Sequence, residues 1–299
     1  MRLSPGRHRR TRTLSIAAAI SLSAGVGGFC LGLSDDGAEA AASTVTVSDT
    51  AHLESAVKNA VPGTTILVRG GIYAPTATLT ATADGTNSAP ITLKAYGKEK
   101  VRIDGSKLPA GAWLAHVHGS HWTVENLTFQ NSPAQGLVVT SSTGGVFKDL
   151  VTAHNGDTGL TLRGDGTVDN LVQNLDSHGN ADGIAVKFGS GTGNRVTGAR
   201  LYDNTGGGLD LWQFSSPVTV EKSRAYRNGN GFELGGGGVS VAHSVNDNIA
   251  YENALDGFTE DANTGAIQLN HNTAYGNKGE DFHFPGKKAR LTGNTQSRQ

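Results

Sequence analysis

Asn204-Thr205-Gly206-Gly207-Gly208-Leu209-Asp210-Leu211-Trp212 is answered 24 residues later by Asn228-Gly229-Asn230-Gly231-Phe232-Glu233-Leu234-Gly235. Each stretch reads as an asparagine, a glycine turn and a short apolar strand carrying one acid. The phrase recurs. Asn131, Asn155, Asn180, Asn204, Asn228, Asn253 and Asn277 stand at intervals of 24, 25, 24, 24, 25 and 24 residues. Behind them come Gly136-Leu137, Gly159-Leu160, Gly183-Ile184, Gly208-Leu209, Gly231-Phe232, Gly257-Phe258 and, with the glycine replaced, Asp281-Phe282. A period of this length, with β-branched segments and no helical periodicity between, marks a solenoid whose turns cover one another's apolar faces. The expected fold is all-β: a single-domain parallel β-helix.

The asparagine column has a physical reason. A turn repeated at every rung leaves polar backbone groups that a side-chain amide satisfies while bonding to the amides above and below. The column is therefore structural, and its use is to fix the register of everything else.

At the N-terminus, Arg2, Arg7, Arg9, Arg10 and Arg12 precede an apolar stretch from Leu14 to about Leu33, then Ala38-Glu39-Ala40. This reads as a secretory signal peptide, residues 1–42, cut near Ala40 or Ala42; an uncleaved anchor or a twin-arginine signal are the other readings. Cys30, the only cysteine, would leave with it, so the protein is expected to be secreted, extracellular and without disulfides. A formal charge of -1 speaks against a nucleic-acid partner. No membrane association is expected after cleavage, and a monomer is expected. Residues 43–299 form the β-helix domain. Its start predicts a cap: Asp49 or Thr50 opens an amphipathic helix through Leu53, Ala56, Val57 and Ala60, and Pro62-Gly63 ends it. Such a helix would shield the open edge of the first coil. Arg290 to Gln299 offers a partial rung with no evident cap.

If the residue after each turn glycine points inward, strand alternation sends the second and fourth residues outward. The second positions are Val138, Thr161, Ala185, Asp210, Glu233 and Thr259; the fourth are Thr140, Arg163, Lys187, Trp212 and Gly235. Asp210 and Glu233 then become vertical neighbours, as do Arg163 and Lys187, with Trp212 beside them and Asp182 at the turn ahead. Any one such pair is ordinarily a solvated face. Stacked like charges are nevertheless destabilising unless a partner or ion lies between them. Together these residues read as a site for an acidic sugar. Trp113, Trp122 and the histidines form no comparable cluster in sequence and read as packing or surface residues.

From about His116 to Phe284 the chain resembles the family nine pectate lyases. The resemblance rests on Asp157-Thr158-Gly159-Leu160, Ala181-Asp182-Gly183-Ile184-Ala185-Val186-Lys187, Gly208-Leu209-Asp210-Leu211-Trp212, Gly229-Asn230-Gly231-Phe232-Glu233-Leu234-Gly235-Gly236 and Asn263-Thr264-Gly265-Ala266. It implies a right-handed parallel β-helix and calcium-dependent β-elimination in a polyuronate. By position Asp182 and Asp210 match two of the family's four calcium aspartates, the other two falling on Gly206 and Gly207. The family's catalytic lysine falls on Glu233.

Three functions stay open on the sequence. The first is a lyase of pectate or another uronic polymer, with Glu233 and Lys187 catalytic, Arg163, Lys187 and Trp212 binding substrate, and Asp182 and Asp210 holding calcium. The second is a glycoside hydrolase using Asp210 and Glu233 as its carboxylate pair. The third is a non-catalytic carbohydrate-binding protein.

Overall fold

The computed structural model describes residues 43–297. The signal segment, its cleavage site and Cys30 lie outside the described residues. Among the described residues the chain winds repeatedly through three parallel sheets of eleven, ten and nine strands. The eleven-strand sheet runs from Thr44–Val47 to Arg290–Thr292, the ten-strand sheet from Gly71–Tyr73 to Thr295–Ser297, and the nine-strand sheet from Leu79–Ala81 to Phe282–His283. Every strand but the end ones of each sheet pairs with those one turn before and after, as a parallel β-helix requires.

The core is built of columns. Ile66, Leu93, Val124, Phe147, Val172, Val196, Val220, Val245 and Leu269 superpose in register through the eleven-strand sheet, all buried. Phe232, Phe258 and Phe282 stack inside the nine-strand sheet with centroids 4.8 and 5.1 Å apart. At the N-terminal end the helix Thr50–Lys58 buries Leu53 and Val57 against the first coils. Asp49 is its N-cap, accepting the His52 backbone N–H at 2.9 Å. At the other end, Arg290–Thr292 and Thr295–Ser297 add paired but exposed strands.

The predicted asparagine column is a continuous hydrogen-bonded ladder from Asn155 to Asn277. Each Oδ1 accepts both the backbone N–H and the Nδ2 of the asparagine one rung earlier, at 2.8–3.3 Å. Each Nδ2 also donates to a carbonyl of the preceding rung, such as Ser177 for Asn204 and Leu201 for Asn228. Asn131 is not part of the ladder. Ser132 holds that corner and gives its N–H to Asn155, while Asn131 reaches Asp104. Asn131 stands instead in the adjoining column with His154, Asp203, Arg227 and Glu252, each with φ near +55°. Asparagine suits that left-handed position as well as the corner, which is why residue type alone misplaced it.

Asn204→Ala should therefore strand the N–H of Asn180 and the carbonyl of Ser177 inside the coil. The expected loss is about 2–4 kcal/mol, and Asn131→Gly should lose less than half as much. Urea unfolding of the two variants measures the difference.

Candidate active site

The nine-strand sheet carries the predicted columns on its outer side, and its register brings them together. Arg163 pairs with Lys187, and Asp210 with Glu233, on successive rungs about 4.8 Å apart. Asp182 enters from the asparagine-corner turn, where its Oδ1 accepts the Gly207 backbone N–H at 2.9 Å.

The second positions point outward but are not exposed, contrary to the expectation from alternation. Val138, Thr161 and Ala185 are 0% exposed and Asp210 is 8% exposed. One fourth-position side chain, Lys187, reaches back over the preceding rung. Lys187 Nζ donates to Thr158 Oγ1 at 3.3 Å on the preceding rung and lies 4.0 Å from Asp182 Oδ2.

The carboxylates are strongly perturbed. Burial pushes the Asp210 carboxyl up to about 8, the negative charges of Glu233 and Asp182 add to this, and Lys187 offsets part of it. Asp210 Oδ1 is buried with no hydrogen-bond partner. Burial likewise raises Glu233; a hydrogen bond from Asn230 opposes this, while Asp182 and Asp261 reinforce it. Asp261, at the next turn, is itself raised by burial and had not been singled out in the sequence.

The glycines at 206 and 207 are places where carboxylates fit. A Cβ at 207 would lie 3.2 Å from Glu233 Oε2, and one at 206 would lie 2.5 Å from Asp182 Oδ1. Side chains from the rungs on either side thus fill the room that these two glycines leave. Farther along, Gly236 and Gly237 pack onto Trp212 and Gln213 so closely that any side chain there would collide with them. Trp212 keeps 37% of its surface exposed.

Hard oxygen donors, one of them buried and unpartnered, are the chemistry calcium takes, with waters completing the shell. Among the described residues no three His, Cys, Asp or Glu side chains come together as a ready-made metal cage. Asp182 and Asp210 by themselves are fewer donors than the six to eight oxygens that calcium takes.

Trp113 and His116, read from sequence as packing or surface residues, stand together beside Arg163. Its guanidinium lies over the Trp113 ring at 5.7 Å, Trp113 meets His116 edge-on at 5.2 Å, and His116 Nε2 bonds Thr140 Oγ1 at 3.1 Å. Trp122 does pack: it is fully buried and donates to the Ala83 carbonyl.

The fold and this face define a class, the parallel β-helix with a charged cluster on one outer sheet. The chain belongs to the Pel9A-like, right-handed β-helix family, which it matches over residues 32–294. Pectate lyase PEL9 of Emericella nidulans is 35% identical over 88% of this chain and 77% of that protein. Pectate lyase L of Paenibacillus polymyxa is 32% identical over 78% of this chain, which spans 60% of that relative. The crystal structure of pectate lyase Pel9A superposes with a TM-score of 0.72 at 24% identity, covering 80% of this chain and 73% of that one. An alginate lyase from Paenibacillus shares the fold at a TM-score of 0.65 and 19% identity.

A carboxyl that holds its proton to about pH 8 when folded, but releases it near 3.8 when unfolded, withdraws stability as pH rises between those values. In chelator, Asp210→Asn should raise the melting temperature at pH 8 by several degrees and leave it nearly unchanged at pH 4. Melting curves of both proteins across that range read the effect, and parallel pH dependences would exclude it.

Proposed function

We propose that the chain is a secreted polysaccharide lyase that cleaves pectate or a related uronic acid polymer by calcium-assisted β-elimination. The observation that carries this reading is the convergence of Asp182, Lys187, Asp210 and Glu233 on one outer face over three successive rungs. The names of the relatives, pectate lyases in a fungus and in bacteria, support the substrate class. Fold likeness alone would not.

In β-elimination a base takes the C5 proton of a uronate, the C4–oxygen bond breaks with its electron pair on the departing oxygen, and a C4–C5 double bond remains. Glu233 is assigned as the base. Burial raises its proton affinity, which strengthens it toward carbon acids, and Asn230 fixes one of its oxygens. Lys187, tethered by Thr158 beside Asp182, is placed to neutralise the uronate carboxylate, and solvent protonates the departing alkoxide. Arg163 and Trp212 bind the flanking polymer. Calcium, where Asp182 and Asp210 hold it, would neutralise the uronate carboxylate and so acidify the C5 proton.

Incubation with polygalacturonate and a panel of other uronic polymers, with calcium and with chelator, tests the reading. A calcium-dependent rise in ultraviolet absorbance from unsaturated ends is expected. Reducing ends without absorbance would instead assign hydrolysis to Asp210 and Glu233, and neither product would leave a binding protein. Glu233→Gln should lower kcat by about 10²–10⁴-fold with little change in KM, the size of effect expected of a lost general base.

A further inference from the structure

Toward the N-terminus of the carboxylate cluster, the same outer face changes sign. Arg163 lies two rungs before Asp210, about 10 Å along the axis at ~4.8 Å per rung. Its guanidinium sits over Trp113 at 5.7 Å and over Phe188 at 5.6 Å. Among the described residues no carboxylate approaches it within the 4.0 Å of an ion pair; Arg102, Arg224 and Arg290 share that, while Arg69, Arg195, Arg200 and Arg227 each have a partner. What sets Arg163 apart from Arg102, Arg224 and Arg290 is the pair of rings. Rings that cover a guanidinium's faces leave its N–H edge for a carboxylate.

Phe188 supplies an independent observation. Arg163 pairs with Lys187 but Gly164 pairs with Gly189, so Phe188 is an extra, unopposed residue in its strand. It adopts φ 53° and remains 46% exposed. A bulky side chain in the left-handed region is strained, and a bulge is a device for re-aiming a side chain beside a site. Here the strain holds an aromatic ring at the surface, against Arg163.

The geometry points to a uronate subsite: Arg163 takes the carboxylate of a sugar residue beyond the one at Asp182, Asp210 and Glu233, and the Phe188 ring packs against that sugar's C–H face. The assignment rests on the uronic-polymer reading and adds to it a second, metal-independent contact. In chelator, which stops calcium-assisted turnover, the full chain is titrated calorimetrically with trigalacturonate and with its fully methyl-esterified form. The acid should bind at least tenfold tighter than the ester. Arg163→Gln should raise Kd for the acid at least tenfold, Arg163→Lys should recover part of the loss, and Phe188→Gly, which relieves the left-handed backbone, should raise Kd severalfold in a folded protein. Binding of this kind without any cleavage would sink the lyase reading and keep the subsite. Absence of acid binding, or unchanged binding by Arg163→Gln and Phe188→Gly, would overturn the subsite even in an active lyase.

Discussion

The stacking of one rung on the next, held in phase by the asparagine corner, is the constraint from which the rest of the structure follows. An amide in that corner satisfies two donors and a carbonyl of the preceding rung, as Asn204 does for Asn180 and Ser177. A slip of one residue would break every link and turn the core columns outward. With phase fixed, residues 23 to 26 apart in sequence become neighbours about 4.8 Å apart. A site can then be assembled from single residues on successive turns, as Asp182, Asp210 and Glu233 are.

The same stacking creates the electrostatic tension of the outer face. Asp210 is buried, the negative charges of Glu233, Asp182 and Asp261 raise its proton affinity further, and Lys187 opposes them. Gly206 and Gly207 fall where the family resemblance implies two further calcium ligands. The geometry gives those glycines another role, as room for Asp182 from one rung and Glu233 from another. Phe188 and Gln213, at φ 53° and 51°, are left-handed at the end of this face, as Ser141 and Gly164 are on earlier rungs; Phe188 is the unopposed residue between Lys187 and Gly189. Elsewhere the left-handed positions fall mainly at the repeated corners, where polar residues and glycine dominate.

Period, sheet, core columns and cap were legible because each is repeated or locally signalled. Asp49 before an apolar i, i+4 pair is a cap in any context. Phase was less secure at the first rung, where Asn131 satisfies the type but Ser132 occupies the corner. The burial of Thr161 and Ala185 could not be read from alternation, which sends both outward. Trp113 was missed because it precedes the regular repeat. A signal for Phe188 did exist in Arg163-Gly164 against Lys187-Phe188-Gly189, where one residue has been inserted ahead of the glycine.

Direct calorimetric titration of the chelator-stripped protein with calcium bears most closely on the proposal that Asp182 and Asp210 hold a cation. One saturable ion is predicted, with Kd in the range of about 10⁻⁴–10⁻³ M seen in extracellular modules, and its heat should vanish in Asp210→Asn. No saturable heat at millimolar calcium, or binding indifferent to Asp210, would contradict the account.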